Sequence, residues 1–241
     1  MQMSQLNYLP LATEFFWLLF LLLIVVGFVF ALLQFLGMLR RAYQSLGVGP
    51  HTALLLLAGS LIGSYFDIPL AKLPTNHVTS DRVIELFGVQ FAAPNAVWPG
   101  TMLAINVGGA VIPTLISIYL LMMRGLWIEG AGATTAVALL MHWLATPVPG
   151  SGITVPVFLP ALTAYLIALL LSRQKAAPLA YIGGSLGTLT GADLTNLDKV
   201  SGLDASIVSI GGAGTFDAIF MTGILAAFAT IGLQQRTARL H

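Results

Sequence analysis

The sequence is poor in the residues on which soluble proteins rely for charge and for covalent chemistry. It has no cysteine in 241 residues, which excludes disulfide bonds, thiolate metal sites and cysteine nucleophiles. Only 8% of its residues are charged, whereas a soluble domain carries about 25%. The net charge is +1 and no basic cluster is present, which argues against a nucleic-acid partner. These absences exclude an ordinary soluble domain.

Long apolar runs take the place of the missing charge. Hydrophobic residues make up 57% of the chain, and several runs approach or exceed the roughly 20 residues that cross a bilayer. The sequence therefore predicts an all-α, polytopic membrane protein, a single transmembrane domain of about seven helices with the lipid bilayer as its partner. The predicted spans are residues 14–38, 52–70, 101–123, 130–146, 153–172, 178–197 and 206–233.

The basic residues orient this predicted bundle. Seven of the ten fall in joints on one side and three on the other. Because short loops rich in Lys and Arg stay in the cytoplasm, we expect a protein of the cytoplasmic membrane with its N-terminus outside and its C-terminus inside. The larger set is Arg40, Arg41, Arg124, Arg173, Lys175, Arg236 and Arg239, and the smaller is Lys72, Arg82 and Lys199.

The longest polar stretch, residues 72–100, then lies outside the cell. Prolines at 74, 94 and 99 interrupt it. Within it, residues 82–91 are rich in β-branched and aromatic side chains around Gly88, a pattern typical of a short hairpin. We therefore predict an extracytoplasmic, hairpin-like loop.

The orientation places a layer of polar side chains in the outer half of the membrane. Ionisable groups are costly there, about 2.5–3.5 kcal/mol at a helix centre, so they usually face protein or water. We expect Asp193, Asp217 and His142 to converge in one cavity, with Asn106 on its wall. The candidate site residues are Asp67, Asn106, His142, Asp193, Asn196 and Asp217.

Glycines accompany both of these aspartates. Gly183, Gly187 and Gly191 form a small-residue ridge that favours close helix packing in lipid. Residues 211–214, Gly-Gly-Ala-Gly, allow two interpretations, packing or a local break in the helix before Asp217.

Four segments resemble a family of prokaryotic membrane proteins, the DUF1614 family, over most of residues 52–230. The resemblance implies a polytopic membrane protein and supplies no activity. The segments are NVGGAVIP (106–113), HWLATPVPGSGITVP (142–156), AYIGGSLGTLTGADLTNL (180–197) and SIGGAGTFDAIFMTGILA (209–226).

A weaker likeness is to intramembrane aspartyl proteases of the presenilin and signal-peptide-peptidase type, which place one aspartate on each of two neighbouring helices. In this chain, Asp217 follows its Gly-x-Gly sequence with two extra residues between them. The Pro-Ala-Leu at 160–162 precedes the aspartates, whereas in those proteases it follows them.

Three classes of function remain open at this point. The first is proton- or cation-coupled transport, since carboxylates in membranes beside broken helices are typical of ion pathways. The ligands His142, Asp193 and Asp217 would suit a divalent cation such as manganese or zinc, and a transporter this small leaves a homo-oligomer open. The second is an intramembrane hydrolase in which Asp193 and Asp217 are the catalytic acid and base. The third is a structural or assembly subunit.

Overall fold

The computed structural model describes residues 9–73, 83–86, 89–92, 100–148, 152–156, 158–200, 207–212, 219 and 221–227. The side chains of residues 9–15, 50, 83–86 and 89–92 are outside the description. Helices predominate. They are α1 (Leu9–Ser45), α2 (Pro50–Gly63), α3 (Ile112–Arg124), α4 (Trp127–Leu144), α5 (Leu159–Leu171), α6 (Ala176–Thr188) and α7 (Leu197–Val200), followed by helical residues 221–227.

The strands are short and lie between the helices. They are β1 (Asp67–Leu73), β2 (Val83–Leu86), β3 (Val89–Ala92), β4 (Thr101–Asn106), β5 (Thr146–Val148), β6 (Gly152–Thr154) and β7 (Ile207–Ile210). β2 pairs with β3 as an antiparallel hairpin, in the place where the sequence predicts one. β5 and β6 form a second small antiparallel pair.

Helix α6 is the central element of the described fold. It packs against α3, α4 and α5, and all but one of its residues are buried. Glycines make this approach close. A Cβ added at Gly187 would lie 2.6 Å from Val137 Cβ, and one at Gly191 would lie 2.6 Å from Ala138 Cα. The predicted packing ridge on this helix is therefore confirmed, with α4 as its partner.

Helix α1 has an exposed part and a packed part. From Phe16 to Leu33 its large apolar side chains are exposed. Leu39, Tyr43 and Leu46 are fully buried and join the main core. This helix and the segment Val107–Arg124 are the two in the described residues that are long and apolar enough to cross a membrane. By length and composition, the described helices therefore support two membrane spans, and the predicted bundle of seven spans is not confirmed.

A three-stranded sheet replaces helix at three of the predicted spans. β4 lies between β1, which is antiparallel to it, and β7, which is parallel. The predictions of helix over residues 64–70, 101–106 and 207–210 are wrong. The predicted helical fold is confirmed only in the coarser sense that helices predominate among the described residues. A short apolar run such as Met102–Ile105 has the same composition in a buried strand as in a buried helix. Pro69 on β1 favours an edge strand, because proline cannot donate to a central ladder.

The remaining helix bounds differ more modestly from those predicted. α1 is longer than the predicted 14–38, and α4 begins three residues earlier than 130. α5 begins at Leu159 and not at the predicted residue 153, which belongs to the strand Gly152–Thr154.

Two helices change their winding where they meet the sheet. Val107–Val111, between β4 and α3, forms a π-helical segment, here called π1. Leu189–Asp193, which continues α6, forms a second, here called π2. A single 3₁₀ turn, Leu194–Asn196, then leads into α7. Such π segments are rare and occur frequently at functional sites. Both lie where the sequence predicts uninterrupted helix.

Candidate functional site

The site begins at Asn106, which links three segments. Its amide nitrogen donates to the Ser64 carbonyl oxygen at 2.8 Å and to Asp67 Oδ1 at 3.0 Å. Its amide oxygen accepts from the Gly109 backbone N–H at 2.8 Å and so caps π1. The side chain is 3% exposed. Because both ends of the amide are engaged, Asn106 holds the end of α2, the start of β1 and the start of π1 together.

Asp67 is exposed and lies at the first position of β1, opposite Asn106 in the β1–β4 register. Besides Asn106, it accepts a hydrogen bond from the Ser209 hydroxyl on β7. The Asp67 carboxylate therefore bridges both outer strands across the end of β4. Sequence reasoning missed Ser209. Its position two residues before Gly211, in the Ser-Ile-Gly-Gly sequence of residues 209–212, was the signal available.

Asp193 ends π2 and reaches the same corner of the sheet. Its Oδ2 accepts the backbone N–H of Gly211 at 2.8 Å, and Gly211 directly follows β7. Gly211 has φ +73°, and a Cβ there would lie 2.8 Å from Ala110 N. Only glycine combines this left-handed conformation with so close an approach. Gly211 therefore turns the chain at the end of a strand and does not interrupt a helix. The later residues of the Gly-Gly-Ala-Gly run, 213 and 214, and Asp217 lie outside the described residues.

The corner brings two carboxylates to one turn of backbone. Asp67 contacts Ser209, and Asp193 contacts Gly211 two residues later. Asp193 is half-buried and Asp67 is exposed. Across the part of the chain that the structure describes, neither carboxylate has a cationic side chain as partner. Oxygen lone pairs on both therefore remain free for a proton or a cation.

His142 joins a neighbouring cluster. Its Nδ1 lies 2.7 Å from Thr195 Oγ1, and that hydroxyl donates to the Gly191 carbonyl oxygen at 2.7 Å. A hydroxyl has one proton to give, so Thr195 accepts from His142 and Nδ1 carries a hydrogen. In a neutral ring Nε2 is then the free acceptor. His142 is exposed, so this nitrogen is accessible.

Asn196 is buried, at 1% exposed, beside this cluster. Its amide nitrogen donates to the carbonyl oxygens of Gly191 and Ala192, at 3.0 and 2.9 Å. Lys199 Nζ donates to its amide oxygen at 2.6 Å. Asn196 therefore binds two backbone carbonyls at the point where the winding changes from π to 3₁₀. Thr195 and Lys199 were not among the candidate site residues predicted from the sequence.

The structure therefore describes only some of the residues that were predicted to converge in one cavity. Asn106, Asp67 and Asp193 meet at one corner of the sheet, while His142 and Asn196 lie around the continuation of π2. Asp217 lies outside the described residues. Within the described ranges, no group of three or more His, Asp or Glu side chains is arranged to hold a metal ion. The divalent-cation hypothesis thus stays a prediction that depends on Asp217.

Comparison with known families gives one match. A family model described as "Protein of unknown function (DUF1614)" matches residues 61–229, which include every residue of the site. Searches of curated proteins and of solved structures returned no match.

Proposed function

The chain belongs to the DUF1614 family of proteins of unknown function, and from the site that this family segment contains we propose an integral membrane protein that couples transport to a proton or cation bound at Asp193. The observation that carries the proposal is the Asp193 carboxylate at the end of the π-helical segment π2, where it accepts the backbone N–H of Gly211 directly after β7.

The surface of the helices supports a membrane location. Large apolar side chains are exposed on α1, and also on the outward faces of α3, α4 and α5. Soluble proteins rarely expose contiguous apolar patches of this size. A bilayer is the partner that accounts for such a surface on several helices at once.

The interrupted helices support an ion site. Irregular backbone at membrane depth is tolerated where it lines a cavity or is buried in protein, and transporters use broken helices to present ligand groups to ions. In this chain π1, π2 and the Gly211 turn meet at one corner. Carboxylate oxygens of Asp67 and Asp193 lie there with unused lone pairs.

Two contacts show which helix ends lie at the same end of the fold. Arg124 donates to the Leu46 carbonyl at 3.2 Å, so the ends of α1 and α3 are adjacent. Lys175 lies 3.8 Å from Glu129, so the starts of α4 and α6 are adjacent. Under our proposal this end, rich in basic residues, is cytoplasmic, the N-terminus is outside, and the sheet corner faces outward.

Flux in proteoliposomes tests the proposal. The purified protein is reconstituted with an enclosed pH-sensitive dye or, in parallel, a dye quenched by Mn²⁺. We expect wild-type flux of at least one of the two ions, and a fall of tenfold or more in Asp193→Asn. Glu129→Gln, an acid remote from the corner, is the matched control and should keep the wild-type rate. If Asp193→Asn folds and transports normally, Asp193 is a packing residue and a structural role is favoured.

An intramembrane hydrolase is the second candidate, and one observation favours it. β1 is an exposed edge strand that begins at Asp67, and such an edge can pair with an extended peptide. Asp193 and Asp217 would then act as acid and base. Cleavage of a membrane-embedded reporter helix by the wild type, lost in both Asp193→Asn and Asp217→Asn, would support hydrolysis over transport.

A further inference from the structure

The apolar surface that α5 exposes is short. Leu162, Leu166 and Leu170 lie at i, i+4 and i+8, on one face of the helix, and are 52%, 49% and 86% exposed. α5 has 13 residues, which corresponds to about 20 Å at 1.5 Å per residue. The exposed side chain of Arg173 follows it at one end, and the strand Gly152–Thr154 lies before it at the other. The exposed apolar face is therefore limited at both ends.

α4 exposes an apolar surface of the same height. Glu129 and His142 are both exposed and mark its polar limits, about 20 Å apart along the helix axis. Between them lie large apolar side chains such as Leu139, which is 67% exposed. Trp127 and Trp143, near the two ends of the helix, are 56% and 89% exposed. Because tryptophan is enriched at both membrane–water interfaces, this pair indicates two interfaces about 24 Å apart.

α2 gives a third measure of the same height. It has 14 residues, about 21 Å, and it exposes Leu54, Leu55 and Ile62. The chain then enters β1, an exposed edge strand of the described sheet. Open sheet edges do not occur in the hydrocarbon region of a membrane, because no water there can satisfy the backbone groups. The apolar layer therefore ends where α2 ends.

The three surfaces lie at the same level of the fold. The Arg124–Leu46 hydrogen bond places the turn before α2 beside the end of α3, close to the start of α4. The Lys175–Glu129 contact places the residues after α5 beside the start of α4. The exposed apolar side chains of α2, α4 and α5 are together called the apolar band. Its height is about 20 Å, whereas the hydrocarbon core of a typical bilayer is about 30 Å thick.

We propose that the apolar band binds phospholipids with short acyl chains and thins the bilayer around the protein. A helix shorter than the hydrocarbon core gains nothing by tilting, because tilt shortens its span further. The bilayer then has to thin, or another copy of the chain has to cover the helix. α2 packs against α1 and α3, while α5 packs against α4 and α6, so the band lies on different sides of the fold. A second copy would cover one side, whereas lipid surrounds them all.

This inference rests on the membrane location in the proposed function and adds the lipid partner to it. A thinner bilayer also shortens the barrier between the sheet corner and the basic end of the fold. An ion bound at Asp193 would have to cross that barrier.

Lipid binding measured by tryptophan quenching tests the proposal. The sequence has four tryptophans, so Trp17→Phe and Trp98→Phe leave Trp127 and Trp143 as the fluorescent pair. The protein is reconstituted with a brominated phosphatidylcholine, which quenches on contact, in competition with phosphatidylcholines whose chains have 14 to 22 carbons. We expect binding to be strongest for 14 or 16 carbons and at least twofold weaker for 22. Strongest binding at 18 carbons or more, or equal binding at all lengths, would overturn the proposal. Absence of quenching by any lipid would show that protein covers the band and would overturn it as well.

A lengthened band should prefer longer lipids. Arg173→Leu replaces the charged side chain at the end of α5, so we expect it to raise the relative binding of the 18-carbon lipid. Arg40→Leu removes the same charge from α1, whose exposed apolar stretch from Phe16 to Leu33 measures about 27 Å, and should keep the wild-type preference. An equal result for the two variants would overturn the limit placed at the end of α5. Short-chain preference without ion flux would overturn transport and support the band. Failure of the protein to enter bilayers would overturn both.

Discussion

At the residue scale, a single hydroxyl proton determines the chemistry of His142. Thr195 donates to the Gly191 carbonyl and therefore accepts from His142 Nδ1. This leaves Nε2 as the accessible base or ligand nitrogen of the neutral ring. Under the transport proposal, a tautomer fixed in this way presents a proton acceptor beside π2 without the cost of reorienting the ring.

Removing that hydroxyl should release the tautomer. In Thr195→Val, we expect His142 to lose its preference for the Nδ1–H form, because valine cannot accept a hydrogen bond. Nitrogen NMR of histidine-labelled protein measures this directly, with the His142 signal identified by its loss in His142→Gln. Thr163→Val is the matched control, since Thr163 makes the same kind of bond to its own helix, to Leu159 at 2.8 Å. Wild-type protein with the Nε2–H form would contradict the assignment.

Asn106 allows a second prediction about a single residue. Its replacement by alanine leaves the Gly109 N–H and the Ser64 carbonyl without their side-chain partner. Leaving a buried donor or acceptor unsatisfied costs about 1–3 kcal/mol each, so for these two groups we expect a loss of about 2–6 kcal/mol in the free energy of unfolding. Denaturant unfolding in micelles measures it. Ser45→Ala, which loses only a bond to its own helix, should change it by less than about 1 kcal/mol.

At the element scale, the contact of α6 and π2 with α4 depends on glycine. A Cβ at Gly191 would overlap the Ala138 carbonyl, so Gly191→Ala must push the two helices apart near Asp193. We expect Gly191→Ala to lower the melting temperature strongly or prevent folding. Gly132→Ala on α4, where nothing lies within 4 Å, should be neutral or stabilising, by up to about 1 kcal/mol of helix propensity. Similar melting temperatures for the two variants would contradict the packing.

The elements also show which parts of the fold the sequence could predict. The Gly183–Gly191 ridge follows from local spacing, and the β2–β3 hairpin from local composition, so both were predicted where the structure has them. The sheet was not predicted, because β4 pairs with β1 and with β7, which begins about a hundred residues later. An apolar strand and an apolar helix have the same composition over six residues. The π segments were missed because no residue type marks the winding of a helix.

The same reasons limited prediction of the site. Asp193 and Asn106 are conspicuous as polar residues in apolar segments, so composition suffices to find them. Ser209 and Thr195 are ordinary residues whose roles come from partners 142 and 53 positions away. Asp67 was expected near the end of the helix predicted over residues 52–70. It lies instead on a strand, since α2 ends at Gly63, where Gly63 and Gly108 allow close approach.

At the scale of the whole molecule, the proposed orientation can be tested by labelling single introduced cysteines. The sequence has no cysteine of its own, so there is no background labelling of the protein. Lys72 on β1 and Gln174 between α5 and α6 are both exposed. Our proposal places Lys72 outside, with the sheet corner, and Gln174 in the cytoplasm, with the basic residues around α1 and α3. Intact cells carrying Lys72→Cys should therefore react with a membrane-impermeant maleimide. Cells carrying Gln174→Cys should react only after permeabilisation. Ala133→Cys, at a buried position, should stay unlabelled under both conditions and controls for unfolded protein.

If Lys72→Cys and Gln174→Cys are labelled from the same side, the charge bias does not orient this chain. The sheet corner then cannot be assigned to the outer face, and ion entry to Asp193 would have to be tested from both sides.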